Sequence, residues 1–307
     1  MTMNIKKYIL IFLKGIGMGA ADVVPGVSGG TIAFITGIYE ELIHSIKSID
    51  IAAVKLFFSG KWKTFWKHIN GNFLLSVFAG IFIAVLSLAR LLEHLLENHP
   101  ILVWSFFFGL ILISAFIVAK RIKKWDYGIV TALVIGIGAA FYITSVTPAE
   151  TSEASWFIFL SGVLASCAMI LPGISGSFIL LLLGKYEFAL NAVNELEIKN
   201  LLLLALGAFV GILSLSKVLS WLFKKYHDAT VAVLAGFMIG SLNKIWPWKE
   251  TVESILIEGV EKPLIQKNIL PSLNQSEDLL PWAILIMFLG IGVILLFELA
   301  FKRKDEH

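Results

Sequence analysis

The block Asp22–Glu40 reads DVVPGVSGGTIAFITGIYE, and it returns as Met169–Glu187, MILPGISGSFILLLLGKYE. Counted from Pro25 and from Pro172, 8 of 16 positions are identical and in register: Pro, Gly, Ser, Gly, Ile, Gly, Tyr and Glu. Proline lacks the amide a helix needs and pushes the residue before it toward extended backbone. Gly26, Gly29 and Gly30 open conformations closed to other residues. Each copy therefore breaks a helix inside an apolar segment. A second pair of blocks, GIFIAVLSLARLL from Gly80 and GAFVGILSLSKVL from Gly207, agrees at 6 of 13 positions and aligns Arg90 with Lys217. Such a chain is a duplication, with halves expected at 1–150 and 151–307 of one membrane-integrated domain.

The segments around these blocks suit lipid. Only 15% of residues are charged and 58% are hydrophobic, against roughly 25% charged in soluble domains. Five apolar segments are expected in the first half (5–21, 30–47, 72–96, 101–119, 127–146) and five in the second (156–170, 177–193, 200–223, 229–245, 281–301). Lys55 to His68, KLFFSGKWKTFWKH, has Lys on one side with Trp and Phe on the other, and is expected to lie in the interface. The N-terminal run resembles a signal peptide only superficially. Lys14 interrupts it, and the residues after it belong to the repeat. Cys167, the single cysteine, excludes an intrachain disulfide and reads as a small packed residue.

Charge placement gives the expected topology. Lys6 and Lys7, the 55–68 stretch, KRIKKW, KKYH and KRKDEH belong inside; EHLLENHP, TPAETSEA, NELEIK and 248–280 belong outside. Half one then begins inside and ends outside, and half two does the reverse. The expected fold is all-α and polytopic, with two inverted-topology repeats and paired re-entrant or broken helices at the PGxSG motifs. That is a transporter plan. Both termini are expected in the cytoplasm.

Non-helical backbone survives at membrane depth only inside protein or beside water. A broken helix also presents an amide-rich N-terminus that favours an anion. The expected substrate-binding residues are therefore Pro25, Gly26, Ser28, Gly29, Gly30 and Thr31, with Pro172, Gly173, Ser175, Gly176 and Ser177. Arg90 and Lys217 join them as cationic stations, against the alternative of snorkelling to the nearer interface. Asp22 precedes the first motif, and Met169 stands at its matching position. Asp22 is open to three roles: carrying a proton, binding a cation or capping the hairpin. Glu40 and Glu187 are the paired proton-coupling alternative. The six histidines show no metal-ligand pattern, and no nucleophile elbow, phosphate-binding loop or dinucleotide fingerprint is present. No catalytic residue, cofactor or metal is expected.

ADVVPGVSGGTIAFITGIYEELI and LPGISGSFILLLLGKYEFAL resemble the bacterial polyprenyl-phosphate transporter family over nearly the whole chain. The resemblance implies recycling of undecaprenyl phosphate from the outer to the cytoplasmic leaflet of the bacterial plasma membrane. Within the family motif it covers Pro25, Gly26, Ser28 and Gly29, and Pro172, Gly173, Ser175 and Gly176. The implied partners are the lipid substrate and the bilayer, not nucleic acid. Two other classes stay open: a transporter of a small water-soluble anion, which needs an occluded cavity, and a membrane enzyme on lipid phosphates, which needs a cluster of catalytic groups that the sequence does not display.

Overall fold

The computed structural model describes residues 5–24, 27–148, 151–257, 260–271 and 279–302. Pro25, Gly26 and the terminal KRKDEH residues from 303 onward lie outside them. The first half begins with α1 (Ile5–Val23), then α2 (Gly29–Ile35) and α3 (Tyr39–Lys47), then α4 (Ile51–Phe58) and α5 (Trp62–His68). The long α6 (Gly71–Asn98), α7 (Pro100–Ala119) and α8 (Tyr127–Ser145) complete it. The second half runs α9 (Ser155–Ile170), α10 (Gly176–Leu182), α11 (Tyr186–Asn194), α12 (Ile198–Lys225) and α13 (His227–Ser241). An antiparallel strand pair, β1 (Lys249–Ile257) and β2 (Val260–Asn268), precedes α14 (Leu280–Lys302).

Among the described residues, α7, α8, α12 and the first part of α6 are long and apolar enough to cross a membrane. The rows of exposed Phe78, Phe82 and Leu86 on α6 and Leu202, Leu206 and Phe209 on α12 would be an aggregation hazard in water; in lipid they are ordinary surface. The chain is a multi-pass membrane protein.

Local rules set the element ends. Asp126 accepts the Ile129 amide at 2.9 Å to cap α8, Asp50 accepts that of Ala53 at 2.9 Å to cap α4, and Pro100 opens α7 where its missing amide costs nothing. The segments expected at 30–47 and 177–193 are each two short helices. α2 stops where Gly37 takes φ +74°, and α10 where its repeat counterpart Gly184 takes φ +59°. Glycine adopts this left-handed conformation without a Cβ penalty and closes the helix end. α10 and α11 meet at 107°. The expected interfacial helix is likewise two, α4 and α5, parted by Gly60 at φ +71°. The β1–β2 pair is a small addition to a chain that is otherwise helical among the described residues.

The helices pack in four couples, α1 with α6, α9 with α12, α7 with α14 and α8 with α13. Glycine lets the backbones meet. A Cβ on Gly15 would stand 2.4 Å from the Val77 carbonyl oxygen, and one on its counterpart Gly162 would stand 2.3 Å from that of Leu204. Gly109 against Met287 and Gly236 against Leu133 repeat the device in α7 and α13, at 2.1 and 2.3 Å. Two couples lie within a half; α7–α14 and α8–α13 each take one helix from each half.

Two ends of the bundle can be named from these contacts. The N-terminal face holds the start of α1, the α4–α5 pair, the end of α7 and the start of α13, where Asp228 accepts the Lys123 and Lys124 amides. The strand face holds the end of α8, the start of α9 and the β1–β2 pair.

Candidate functional site

Both motifs form hairpins whose tips meet in the interior. α2 folds back along α1, and α10 along α9. Ser28 Oγ donates to the Met169 carbonyl at 3.0 Å, and the Gly173 amide donates to Thr31 Oγ1 at 3.0 Å. Tyr39 OH donates to the Ile170 carbonyl at 3.2 Å. Ser28 and Thr31 are fully buried and Ser175 is 4% exposed. A buried polar group without a partner is costly; the Ser28 and Thr31 hydroxyls satisfy a last-turn carbonyl of α9 and an amide of the turn that follows it. The fit leaves no slack. A Cβ on Gly30 would stand 2.5 Å from the Ile170 carbonyl oxygen. Gly173 takes φ +97°, and a Cβ there would lie 2.8 Å from Ser241 Oγ. Pro172 is buried beside it.

The tips differ in their caps. In the first, the Gly29 amide donates to Asp22 Oδ1 at 2.6 Å and the Gly30 amide to Ser28 Oγ at 3.1 Å. Asp22 thus caps the first hairpin in this structure. In the second, Ser175 Oγ accepts the Phe178 amide at 3.3 Å and lies 3.3 Å from Ser177 Oγ. Met169 is 42% exposed and brings no charge. Gly176 allows α10 to lie against α9, a Cβ there falling 2.7 Å from the Ala165 carbonyl oxygen.

The other expected residues are spread out. Arg90 and Lys217 are exposed on α6 and α12 and make no ion pair with a described residue. Glu40, at the start of α3, has Oε1 3.4 Å from His227 Nε2. Glu187, its counterpart on α11, has a buried Oε1 with no hydrogen-bond partner among the described residues.

Four cations that the sequence reading does not select stand near the hairpins. Arg121 donates to the Ile35 carbonyl at the end of α2 at 3.3 Å. Burial lowers its pKa from the ordinary value, while the carboxylates of Glu40 and Glu298 act in the opposite sense. Lys185, 2% exposed, donates to the Thr151 carbonyl at 2.9 Å. Lys244 Nζ lies 4.6 Å from the centre of the Phe178 ring on α10. Lys249 Nζ donates to the Lys244 carbonyl at 2.6 Å and sits 4.0 Å from the centre of the Trp104 ring. Burial first, and then the neighbouring Lys244 charge, push the Lys249 amine down to about 7. Lys244 and Lys249 line a cavity of about 340 Å³ at the strand face, together with Phe178, Asn243 and Lys267. A second cavity of about 460 Å³ opens at the N-terminal face, beside Lys123, Tyr226, His227 and Asp228. Sequence alone offers one signal for Lys244 and Lys249, their position around the end of the segment expected at 229–245. Their partners Phe178 and Trp104 are too distant in the chain to suggest a cluster.

Residues 18–261 match the family described as undecaprenyl phosphate translocase-like. A Vibrio cholerae protein named polyprenyl-phosphate transporter is 43% identical over 302 residues, covering 97% of each chain. A Staphylococcus aureus protein of the same name is 34% identical over 254 residues, covering 76% of this chain and 85% of its own. No solved structure matches.

Proposed function

Because the chain belongs to the undecaprenyl phosphate translocase-like family, a family of transporters rather than enzymes, we propose that it carries polyprenyl phosphate from the outer to the cytoplasmic leaflet of the bacterial plasma membrane, returning the carrier lipid for reuse. The observation that carries this reading is the buried junction of the two hairpins. There Ser28 and Thr31 of one motif hold the other where its helix ends, at the Met169 carbonyl and the Gly173 amide. Broken helices that meet inside a membrane are what a transporter uses to gate a polar group. The same junction is the proposed substrate region, with Gly29, Gly30, Pro172, Ser175, Gly176 and Ser177 around it and with Arg90 and Lys217 on the approach from lipid; Pro25 and Gly26, outside the described residues, are proposed to belong to it from their place in the motif.

Two inverted repeats supply the two-sided access. Their support is the matched glycine contacts of the two halves and the direction of the hairpins, α2 running from the tip toward the N-terminal face and α10 toward the strand face. The basic connections gather at the N-terminal face, which is assigned to the cytoplasm with both termini. Labelling of Ser59→Cys in a Cys167→Ala background is expected only after the membrane is opened; labelling of intact cells from outside would reverse the assignment.

The tail need not leave lipid, since each buried CH₂ holds it there by about 0.8 kcal/mol. Only the phosphate needs a path. Moving it inward works against an inside-negative potential by about 2.3 kcal/mol per charge per 100 mV. A proton taken up outside and released inside offsets one charge. Asp22 is the proposed carrier, alternating between capping Gly29 when ionised and releasing it when protonated, with Glu40 and Glu187 as the paired alternative. In proteoliposomes, polyprenyl phosphate should reach the inner leaflet faster when the outside is acidified. Asp22→Asn should remove that dependence. Transport indifferent to a pH gradient of either sign would exclude proton coupling, and an absence of lipid phosphate movement would exclude the function itself.

A further inference from the structure

The cavity at the strand face combines features that the hairpin junction does not use. Two lysines converge there from a turn and a strand. Lys244 follows α13, and its ammonium rests over the Phe178 ring, one turn beyond the Ser175 cap of the second hairpin. Lys249 opens β1, and its ammonium is fixed between the Trp104 ring and the Lys244 carbonyl. Neither makes an ion pair with a described residue. Lys267 on β2 lines the same cavity and is exposed. The scaffold around them is held by its own hydrogen bonds. Asn268 Nδ2 donates to Asn243 O and Oδ1, both at 2.9 Å, and Asn243 Nδ2 donates to Thr144 Oγ1 at 3.3 Å and Ser145 Oγ at 3.2 Å. These contacts tie β2 and the end of α8 to the residue preceding Lys244. Paired cations held together without a counter-charge are costly to a fold, and a cavity of about 340 Å³ in front of them has room for a headgroup and not for a long tail.

We propose that Lys244 and Lys249 form a receiving site for a phosphomonoester dianion at the strand face, ahead of the second hairpin. This rests on the transport reading above and adds how the headgroup is chosen. A monoester carries close to two negative charges near neutral pH; it matches the Lys244 charge and the one that Lys249 takes up as the dianion binds beside it. The phosphodiesters of bulk lipids carry one, and leave one lysine unmatched. The site therefore picks a lipid monophosphate out of a membrane crowded with diesters. Lysines suit the task because an ammonium is a compact charge that rotates and does not demand bidentate geometry. A headgroup bound here sits beside Phe178, on the helix that leads down to the junction.

The test uses the full-length protein in detergent micelles. Farnesyl phosphate, inorganic phosphate and phosphatidylglycerol are titrated while Trp fluorescence is followed, Trp104 lying directly beneath Lys249. Farnesyl phosphate should bind at least about tenfold more tightly than phosphatidylglycerol, a difference of about 1.4 kcal/mol. Lys244→Gln with Lys249→Gln should remove about tenfold or more of that affinity, while Lys244→Arg with Lys249→Arg retains most of it and shows that the pocket still folds. Lys63→Gln with Lys67→Gln on α5 should change nothing. Inorganic phosphate binding as tightly as farnesyl phosphate, with the same lysine dependence, would support the monoester site and assign it to free phosphate. Wild-type affinity in the double glutamine variant, or equal affinity for the diester, would overturn the inference and leave the transport reading standing. Failure of the wild type to bind farnesyl phosphate, together with failure to move polyprenyl phosphate in proteoliposomes, would overturn both.

Discussion

At the N-terminal face, the Arg121 guanidinium holds the Ile35 carbonyl within the field of Glu40 and Glu298. At the strand face, Lys244 and Lys249 rest on aromatic rings and on backbone, with no ion pair to a described residue. The hairpin tips below them differ in the same sense. Asp22 spends its charge on the Gly29 amide of the first, and Met169 leaves the second without a carboxylate. A phosphate is drawn to positive charge that is uncompensated and is held less where the cation already has partners. On the proposed reading, anion affinity declines from the strand face to the N-terminal face. Such a gradient would ease release at the N-terminal face; the net direction comes from the proposed proton coupling, because the lipid tail is equally well buried at both ends.

The largest expected effect comes from breaking the junction that both faces share. In Gly30→Val the new side chain meets the Ile170 carbonyl, and overpacking of this kind costs about 1–3 kcal/mol. Folded yield and Tm in detergent should both fall, and transport should be lost. The counterpart Ser177 already carries a side chain, so Ser177→Gly should leave Tm nearly unchanged. Equal damage from the two would contradict the asymmetry. Next in size is Met169→Asp, which gives the second tip the charge of the first. An uncompensated carboxylate at membrane depth costs about 2.5–3.5 kcal/mol. Transport measured in proteoliposomes should drop at least about tenfold, whereas Asp22→Ala costs a helix cap, about 0.5–2 kcal/mol of stability.

A smaller effect should follow from making the N-terminal face resemble the strand face. Glu40→Gln with Glu298→Gln removes the two carboxylates whose fields act on Arg121. Farnesyl phosphate affinity should rise by roughly threefold, of the order expected for partly exposed charges, and turnover should slow as release is delayed. A faster turnover would count against release at that face. The smallest effect concerns the Lys249 amine alone. Ordinary lysines titrate at about 10.4, so at pH 7.5 almost all are charged; with its value pushed down to about 7 by burial and Lys244, Lys249 without an anion beside it is mostly neutral there and nucleophilic, and a bound dianion returns its proton. Brief acetylation at pH 7.5, read by mass spectrometry, should modify Lys249 ahead of the more exposed Lys267. At pH 6, where Lys249 regains its proton, that preference should shrink.

Most of the helical layout is legible in the sequence. The segment expected at 72–96 is α6, Gly71–Asn98, and the one at 101–119 is α7, Pro100–Ala119. Length and apolarity decide such elements almost alone. The paired motifs also announce themselves, because a proline at the same register of each apolar repeat breaks a helix in both halves. The splitting of 30–47 and 177–193 is signalled by Gly37 and Gly184, which the repeat preserves, yet a glycine pattern does not say which residue turns left-handed. The strand pair escapes because KETVESILI alternates only in part, within a loop read by its charge. Arg121, Lys244 and Lys249 escape for a different reason. Their meaning lies in Ile35, Phe178 and Trp104, brought beside them only by folding; charge counting places Arg121 and Lys249 in loops and leaves Lys244 at the end of the segment expected at 229–245. Arg90 and Lys217 stand out by depth within a helix, a signal that does not distinguish a lipid-facing surface from an interior one.

The glycine couples set what this molecule can do as a machine. Backbones in contact without a Cβ between them have no side-chain layer in which to slide, so each couple behaves as one stiff strut. Since α7 is locked to α14 and α8 to α13, two of the four struts straddle the two halves of the sequence. The halves cannot swing apart as separate levers. Whatever opens one face and shuts the other has its hinges between struts, at the short turns beside Gly37 and Gly184 and around the hairpin tips, and the boundary written by duplication is not the boundary along which the protein moves.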